Sequence, residues 1–305
     1  MKKVVITGAT GMIGVTLSEY LTNQGIEVLA IIRENSKRRE NLKESNLLKI
    51  VECSLENLNK LNLPDNDYDV FYHLGWDGTF GKDRMDIEKQ ERNVTYTIDA
   101  VNLSKRLGCN TFIGAGSQAE YGRIEGVISS DTLENPETEY GKAKLKAGIE
   151  SRKLANELNM KHIWTRIFSV YGPYDGENTM IMTSIREMLK GVSPEYTLGE
   201  QNWDYIYSED LAKALHLLAK NGVNNKVYCL AKGQTKKLYE YIEIIKNQIN
   251  SNIILKLGAK PYAENQVMNL NVDISELVRD TRFKPQFEFE EGIKKTIEWY
   301  RNNRL

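Results

Sequence analysis

The stretch Lys3-Val-Val-Ile-Thr-Gly8-Ala-Thr-Gly11-Met-Ile-Gly14 decides the fold predicted for this 305-residue chain. Its β-branched start, its three glycines and the amphipathic pattern that continues to Gln24 predict a strand, a tight turn and a helix. Gly8 permits the turn, Gly11 lets the backbone approach a pyrophosphate, and Gly14 lets the helix pack closely on the strand. The position directly after the first strand favours a dinucleotide at the helix N-terminus over a plain turn. Its predicted contacts are Gly8, Thr10, Gly11, Met12, Ile13 and Gly14.

Strands and helices alternate through the first part of the chain. Further strands are predicted at 27–32, 47–51, 70–74, 111–115 and 162–168, and helices at 86–106 and 140–157. Such alternation is typical of a parallel sheet covered by helices on both faces. The predicted fold class is therefore α/β, a Rossmann-type doubly wound parallel sheet with a smaller C-terminal substrate-binding lobe. We expect residues 1–172 plus 202–232 to form the dinucleotide-binding domain, and residues 173–201 plus 233–305 to form the lobe.

The turn after the second strand is basic. Arg33 stands where an NAD-specific site usually presents an acidic residue to the ribose 2′-hydroxyl. Ser36, Lys37, Arg38 and Arg39 follow it, and guanidinium groups can hold a 2′-phosphate through charge-assisted hydrogen bonds. The alternative is a solvated basic turn, which most charge runs are. The position of the cluster favours NADP, bound through Arg33 and Arg38, with NAD as the alternative cofactor.

The composition excludes several classes of protein. Lys and Arg total 41 against 42 Asp and Glu, with an isoelectric point near 6.4, so no nucleic-acid partner is expected. The apolar run at the N-terminus is too short for a signal peptide or a membrane span, so no membrane partner is expected. The three cysteines are widely separated and the three histidines isolated, with no metal spacing. We therefore expect a cytoplasmic protein without a metal site.

Tyr140 and Lys144 lie four residues apart, so on a helix they share one face. A lysine ammonium beside a phenol favours the phenolate and lowers the pKa of the phenol, which lets the pair transfer a proton at neutral pH. Ser117 follows the fifth strand, at the carboxyl edge where doubly wound sheets bind ligands, and its hydroxyl can bind the same oxygen. Taken singly, the pair could lie on an ordinary exposed helix and Ser117 could form a turn.

Four motifs occur in the order and spacing of one family. They are Gly8 to Gly14, Ser117-Gln-Ala-Glu-Tyr-Gly122, Tyr140-x-x-x-Lys144 and Arg166-Ile-Phe-Ser-Val-Tyr-Gly-Pro173. Together they resemble the extended short-chain dehydrogenase/reductases, in the branch of nucleotide-sugar epimerases, dehydratases and reductases.

The resemblance implies roles for individual residues. Ser117, Tyr140 and Lys144 would form the catalytic triad. Lys144 and Tyr140 would also contact the cofactor, with Lys144 on the nicotinamide ribose and Asn93 as a supporting residue. The predicted helices at 86–106 and 140–157 would form the interface of a homodimer.

Departures from the family pattern reduce the number of reactions that this chain could catalyse. The 4,6-dehydratases of the family carry an Asp-Glu pair after the residue that matches Ser117, whereas this chain has Gln118-Ala119, which cannot exchange protons. A ketoreductase or an epimerase is left. Epimerases of the family usually retain NAD, whereas a reductase takes fresh hydride, commonly from NADPH, so Arg33 favours the reductase. Cys53-Ser54 and Trp203 also depart from the family, near the adenine and the diphosphate.

The substrate cleft is predicted at the carboxyl edge of the sheet, beneath the smaller lobe. Its predicted contacts are Trp76, Thr79, Ser117, Gln118, Gln201 and Trp203. Core packing is an equal alternative for the aromatic residues. We predict NADPH-dependent reduction of the 4-keto group of a nucleotide-linked 6-deoxy sugar. The alternatives are an NAD-retaining nucleotide-sugar 4-epimerase and a non-catalytic dinucleotide-binding protein.

Overall fold

A seven-stranded parallel sheet lies at the centre of the computed structural model, which describes residues 1–304. The strands of the chain are β1 (Lys3–Thr7), β2 (Glu27–Ile32), β3 (Leu48–Glu52), β4 (Val70–His73), β5 (Thr111–Ser117), β6 (Val127–Ile128), β7 (Lys161–Ile167), β8 (Ser169–Tyr171), β9 (Asn202–Trp203), β10 (Tyr205–Tyr207), β11 (Lys226–Leu230), β12 (Lys236–Lys237) and β13 (Asn271–Val272). The order in the central sheet is β11-β7-β5-β4-β1-β2-β3. The remaining strands form three short pairs, β8 with β10, β9 with β12 and β6 with β13.

Eight helices complete the described part of the chain. They are α1 (Met12–Asn23), α2 (Ile87–Arg106), α3 (Glu139–Glu157), α4 (Met180–Leu189), α5 (Ser208–Asn221), α6 (Leu238–Ile249), α7 (Ser275–Thr281) and α8 (Phe289–Arg304). None of the helices within residues 1–304 is long and apolar enough to cross a membrane.

The central sheet has a hydrophobic core on each face. Along β1 the side chains alternate, so Val4 and Ile6 belong to one core and Val5 to the other. Helices α1 and α5 pack together over the first core, and α2 and α3 over the second. The predicted Rossmann-type fold is confirmed by this arrangement. Two details differ, because β11 was absent from the predicted strands and β5 extends to Ser117, which pairs with Ile167 of β7.

A third core lies outside the central sheet. It is formed by α4, α6 and α8 together with tyrosines of β8 and β10. The predicted division into residues 1–172 plus 202–232 and residues 173–201 plus 233–305 stays a prediction. Helix α7 packs on α5 and β11, and its Leu277 joins the core of the central sheet. The C-terminal part of the chain is thereby joined closely to the sheet.

The glycine turn after β1 packs backbone against backbone. Gly8 has φ 69°, and a Cβ built on it would lie 2.6 Å from the nitrogen of Gly75, which follows β4. A Cβ built on Gly14 would lie 2.4 Å from the oxygen of Gly8, whereas one on Gly11 would meet only that oxygen, at 3.5 Å. The predicted tight turn and close helix packing therefore have a direct steric basis at Gly8 and Gly14.

Substitution of Gly14 by Ala should therefore destabilise the fold. The added methyl group would clash with backbone atoms that cannot rotate away, at a cost of about 2–3 kcal/mol in the free energy of unfolding. Gly176→Ala is the matched control, because a Cβ there would meet only the methyl group of Thr179, at 3.8 Å. Urea unfolding of the two variants measures the difference. A loss of stability in Gly176→Ala as large as that in Gly14→Ala would contradict the steric argument.

Candidate active site

The predicted catalytic residues meet at the carboxyl edge of the sheet. The strand order reverses between β1 and β4, which is the switch point where doubly wound sheets bind ligands. Ser117 ends β5 next to β4, and Tyr140 is the second residue of α3. Thr138 caps α3 by accepting a hydrogen bond from the backbone of Gly141. The cap and the strand end thus fix the phenol and the hydroxyl relative to each other.

Tyr140 is buried, and its phenol lies beside the hydroxyl of Ser117. Burial raises the pKa of Tyr140, while the neighbouring hydroxyl of Ser117 and the positive charge of Arg84 oppose that rise and the carboxylate of Glu120 adds to it. The Ser117 hydroxyl also accepts a hydrogen bond from the backbone of Ala119, at 3.2 Å. The phenol and the hydroxyl are therefore placed to contact one oxygen atom together.

Lys144 is buried one turn further along α3. Its Nζ donates a hydrogen bond of 2.6 Å to the oxygen of Ala115 and lies 3.6 Å from the ring centroid of Trp76. The distance from Nζ to the ring centroid of Tyr140 is 5.8 Å. Burial lowers the pKa of Lys144 to about 7, against the opposing charge of Glu120. The Lys144 ammonium is directed at Ala115 and Trp76, and the lowering of the Tyr140 pKa expected from Lys144 stays a prediction.

Two side chains of α2 hold the segment that follows β4. Asn93 accepts a hydrogen bond from the nitrogen of Asp77 and donates one to its oxygen, at 2.8 and 2.9 Å. Gln90 accepts a bond of 2.9 Å from the indole of Trp76. Asn93 therefore supports the loop beside the catalytic residues, and its predicted contact with a cofactor stays a prediction. Trp76 turns one ring face to Lys144, which leaves less of that face for a sugar.

Arg84 belongs to the site, although no sequence pattern pointed to it. Its Cζ lies 4.3 Å from the ring centroid of Tyr140, and its Nη1 donates to the oxygen of Thr79 at 3.3 Å. The residue sits in a polar loop without periodic pattern, so only the tertiary structure brings it to the phenol. Thr79, a predicted substrate contact, is thus linked to Tyr140 through Arg84.

Glu120 is the second residue that the sequence prediction missed. It is fully buried, accepts a hydrogen bond of 2.8 Å from the nitrogen of Ser117 and pairs with Nε of Arg166 at 2.7 Å. The indole of Trp164 donates to the same carboxylate at 3.0 Å. Both Glu120 and Arg166 lie inside the family motifs, which were their only sequence signal. The pair anchors the end of β5 from beneath the site.

The glycine turn fits the pyrophosphate of a dinucleotide. Gly11 is the N-cap of α1, no side chain caps that end, and its first turn has no acidic residue. The free N–H groups of Met12, Ile13 and the turn are donors for an anion. Thr10 is tied to the basic turn, because its hydroxyl accepts a bond of 3.4 Å from Ser36 and its oxygen one of 3.5 Å from Asn41. Backbone donors and a bare Gly11 together suit a diphosphate.

The basic turn after β2 has cations without partners. Arg33 and Arg38 are exposed, and neither forms an ion pair within residues 1–304. Arg39, by contrast, lies 3.4 Å from both Glu44 and Glu52. A cavity of about 410 Å³ opens beside this turn. It is lined by Ser36, Lys37, Arg39, Glu40, Leu42, Glu44 and Ile50.

The remaining predicted substrate contacts lie at different depths. Gln118 is half-buried directly after Ser117. Gln201 is buried with its Oε1 lacking a hydrogen-bond partner within residues 1–304. Trp203 is half-buried, packs against two cores, and its buried indole nitrogen likewise lacks a partner there. The unpartnered atoms of Gln201 and Trp203 are compatible with the predicted contacts, which stay predictions.

The fold and the residues at its switch point are those of a dinucleotide-dependent enzyme. The model of the NAD dependent epimerase/dehydratase family matches residues 4–231, and the chain belongs to this family. The resemblance to the extended short-chain dehydrogenase/reductases is thereby confirmed, as is the prediction of an enzyme of that type. Its relatives include nucleotide-sugar epimerases and dehydratases.

Three relatives illustrate the range of the family. CDP-abequose synthase from Salmonella muenchen is 24% identical over 97% of this chain and 97% of its own length. The UDP-N-acetylglucosamine 4-epimerase from Methanobrevibacter ruminantium, solved with UDP-N-acetylmuramic acid, has a TM-score of 0.88 at 26% identity and covers 99% of this chain and 98% of its own. The UDP-glucose 4-epimerase from Thermotoga maritima has a TM-score of 0.86 at 22% identity, covering 98% and 99%, and supports the fold.

Loss of the charge of Glu120 should weaken the whole site. Glu120→Gln leaves the buried guanidinium of Arg166 without its inner partner, and we expect a loss of about 3 kcal/mol in the free energy of unfolding. Glu134→Gln is the matched control, since Glu134 also pairs with Arg166, at 2.6 Å, but is 35% exposed. We expect that variant to lose less than about 1 kcal/mol. Equal losses in urea unfolding would show that burial does not distinguish the two carboxylates.

Proposed function

We propose that this protein uses NADPH to reduce the 4-keto group of a nucleotide-linked 6-deoxy sugar. The observation that supports this cofactor is the basic turn after β2, where Arg33 and Arg38 are exposed and form no ion pair within residues 1–304. The 2′-phosphate of NADP would meet these cations. NAD would instead leave Arg33 facing a neutral ribose hydroxyl, where acidic residues usually stand. NADPH as cofactor favours net reduction over a hidden oxidation and reduction.

The catalytic residues would divide the reduction among them. NADPH would supply the hydride that C4 receives. The phenol of Tyr140 would give its proton to the oxygen at C4, while the hydroxyl of Ser117 hydrogen-bonds the same oxygen. The carbonyl thereby gains one hydride and one proton and becomes an alcohol. Lys144 donates to Ala115 and has two further N–H groups, which suit the nicotinamide ribose.

Elimination of water is a poor fit to the same residues. Gln118 and Ala119 carry no acidic group next to Ser117. Glu120 is close in sequence, yet its carboxylate is engaged by Arg166, Trp164 and the backbone of Ser117. A carboxylate held in this way does not reach the sugar ring. This argument supports a reductase or an epimerase over a 4,6-dehydratase.

An NAD-retaining nucleotide-sugar 4-epimerase is the second candidate. It is favoured by the likeness to the 4-epimerase from Methanobrevibacter ruminantium, at 26% identity over nearly the whole chain. The name CDP-abequose synthase in turn supports a nucleotide-linked sugar product for this chain. A non-catalytic dinucleotide-binding protein is disfavoured, since the phenol of Tyr140 beside the hydroxyl of Ser117 suits proton transfer, which binding alone does not need.

Three further predictions belong to this proposal. A homodimer would form through α2 and α3, where Ile149 is 57% exposed. A cytoplasmic location is consistent with three free, buried cysteines. The substrate lobe would comprise residues 173–201 and 233–305, as predicted from the sequence.

Replacement of the proton donor should stop turnover and spare the cofactor. We expect Tyr140→Phe to lower kcat at least about 100-fold, because general acid catalysis is lost. NADPH affinity, measured by fluorescence titration, should change less than about threefold, since the glycine turn and Lys144 remain. Consumption of NADPH with a nucleotide-linked 4-keto sugar gives kcat. Parallel loss of turnover and cofactor affinity would remove Tyr140 from the role proposed here.

The cofactor choice depends on the charge at the end of β2. Arg33→Asp should shift the ratio of kcat/KM for NADPH over NADH toward NADH by at least about tenfold, because the 2′-phosphate would meet a negative charge. Arg92→Asp, on the exposed side of α2, is the control for a general change in charge. An unchanged ratio would refute the interpretation that the basic turn binds the 2′-phosphate of NADP.

A reductase and an epimerase differ in whether the dinucleotide cofactor stays bound between turnovers. Mass spectrometry of the denatured protein identifies any dinucleotide released and its amount per chain. Near-stoichiometric NAD would establish a retained cofactor and favour the epimerase. An empty site, or substoichiometric NADP that exchanges freely, would favour the reductase.

A further inference from the structure

A second cation lies against the catalytic phenol. Arg84 belongs to a short 3₁₀ segment, Gly81–Met85, between β4 and α2, and its Cζ lies 4.3 Å from the ring centroid of Tyr140. We propose that Arg84 is a positioning residue that acts through Tyr140 and makes this phenol a stronger acid than Lys144 alone would. The inference rests on the role proposed for Tyr140 but not on the substrate or the direction of the reaction.

The distances favour Arg84 over Lys144 as the effective charge. Nζ of Lys144 is 5.8 Å from the ring centroid of Tyr140 and donates to the oxygen of Ala115 at 2.6 Å. The guanidinium of Arg84 is closer and half-buried, and it forms no ion pair within residues 1–304. Its one hydrogen bond there, to the oxygen of Thr79, leaves its charge uncompensated. Opposite charges at such distances stabilise a phenolate.

The two cations, Arg84 and Lys144, also differ in the pH range over which they stay charged. A guanidinium keeps its proton at every pH at which proteins are folded. Burial lowers the pKa of Lys144 to about 7, so above neutral pH the amine loses its charge. Arg84 would therefore be the lasting positive charge beside Tyr140 through the alkaline range.

The other groups around Tyr140 act in both directions. Burial raises the pKa of the phenol most, the hydroxyl of Ser117 lowers it by hydrogen bonding, Arg84 lowers it, and the carboxylate of Glu120 raises it. Because burial and Glu120 both weaken the acid, a compensating charge is needed for proton transfer near neutral pH. Arg84 supplies this charge at 4.3 Å from the ring centroid of Tyr140.

The structure holds Arg84 in place through its neighbours. The side-chain amide of Gln90 donates to the oxygens of Gly78 and Asp83, each at 2.9 Å. The carboxylate of Asp83 pairs with Lys89 at 3.1 Å, which keeps it from Arg84. The loop is thereby fixed to α2, and the guanidinium is directed at the ring and not at an adjacent acid.

The acidity of Tyr140 can be measured without any substrate. The protein is labelled with an NMR-active carbon at Cζ of tyrosine, and the signal of Tyr140 is assigned by its loss in Tyr140→Phe. The chemical shift is then followed against pH in the purified full-length protein. The variants are Arg84→Met, Arg84→Lys, Lys144→Met and the control Arg92→Met, whose side chain faces solvent on α2.

The proposal requires a rise of about 1 pH unit or more in the Tyr140 pKa in Arg84→Met, about tenfold in acidity. Arg84→Lys should restore most of the shift, and Arg92→Met should match the native protein. An unchanged Tyr140 pKa in Arg84→Met, or a larger rise in Lys144→Met than in Arg84→Met, would overturn it. Retained dispersion of the NMR signals shows that a variant is folded. If Arg84→Met does not fold, Arg84→Lys still tests the proposal. The pKa of Tyr140 can be measured whether or not the protein catalyses the proposed reaction. Failure of this inference is therefore distinguished from failure of the proposed function.

Discussion

The close approach of two backbone turns is the constraint on which the site depends. Gly8, at the end of β1, comes so near to Gly75 that a Cβ would lie 2.6 Å from its nitrogen. The hydroxyl of Thr7 accepts a hydrogen bond from the same nitrogen at 3.3 Å. This contact brings the glycine turn and the segment after β4 together at the switch point. Because this contact fixes the start of the segment, Trp76 and Arg84 come to lie beside Lys144 and Tyr140.

The catalytic cluster combines burial with charge. Tyr140 and Lys144 are both largely removed from water, which raises the pKa of the phenol and lowers that of the amine to about 7. Burial thus moves both groups toward their neutral forms. Ser117 and Arg84 counteract this for the phenol, whereas Glu120 holds the strand beneath them. The pKa values of Tyr140 and Lys144 are therefore influenced by groups from two other segments of the chain, the end of β5 with the turn that follows it and the segment before α2.

Local patterns predicted most of the fold, and the proposal for the central catalytic residues also rests on them. The strand at 3–7, the glycine turn and the Tyr140-x-x-x-Lys144 spacing are short-range features, so each could be read from adjacent residues. Arg84 and Glu120 could not, because their roles depend on partners 56 and 46 residues away in the chain, Tyr140 for Arg84 and Arg166 for Glu120. The direction of the Lys144 ammonium was likewise set by Ala115 and Trp76, which no spacing rule relates to it. The edge strand β11 was not among the predicted strands.

The buried pair of Glu120 and Arg166 has an evolutionary consequence. Without Glu120 the buried Arg166 would keep only the partly exposed Glu134, and without Arg166 the buried Glu120 would keep no cationic partner, so a single substitution at either position passes through a less stable protein. The two positions should therefore change together across related sequences, as a charged pair or as two apolar residues. Lineages that kept the pair would also have kept the end of β5, and with it the position of Ser117, while the loops around the substrate diverged.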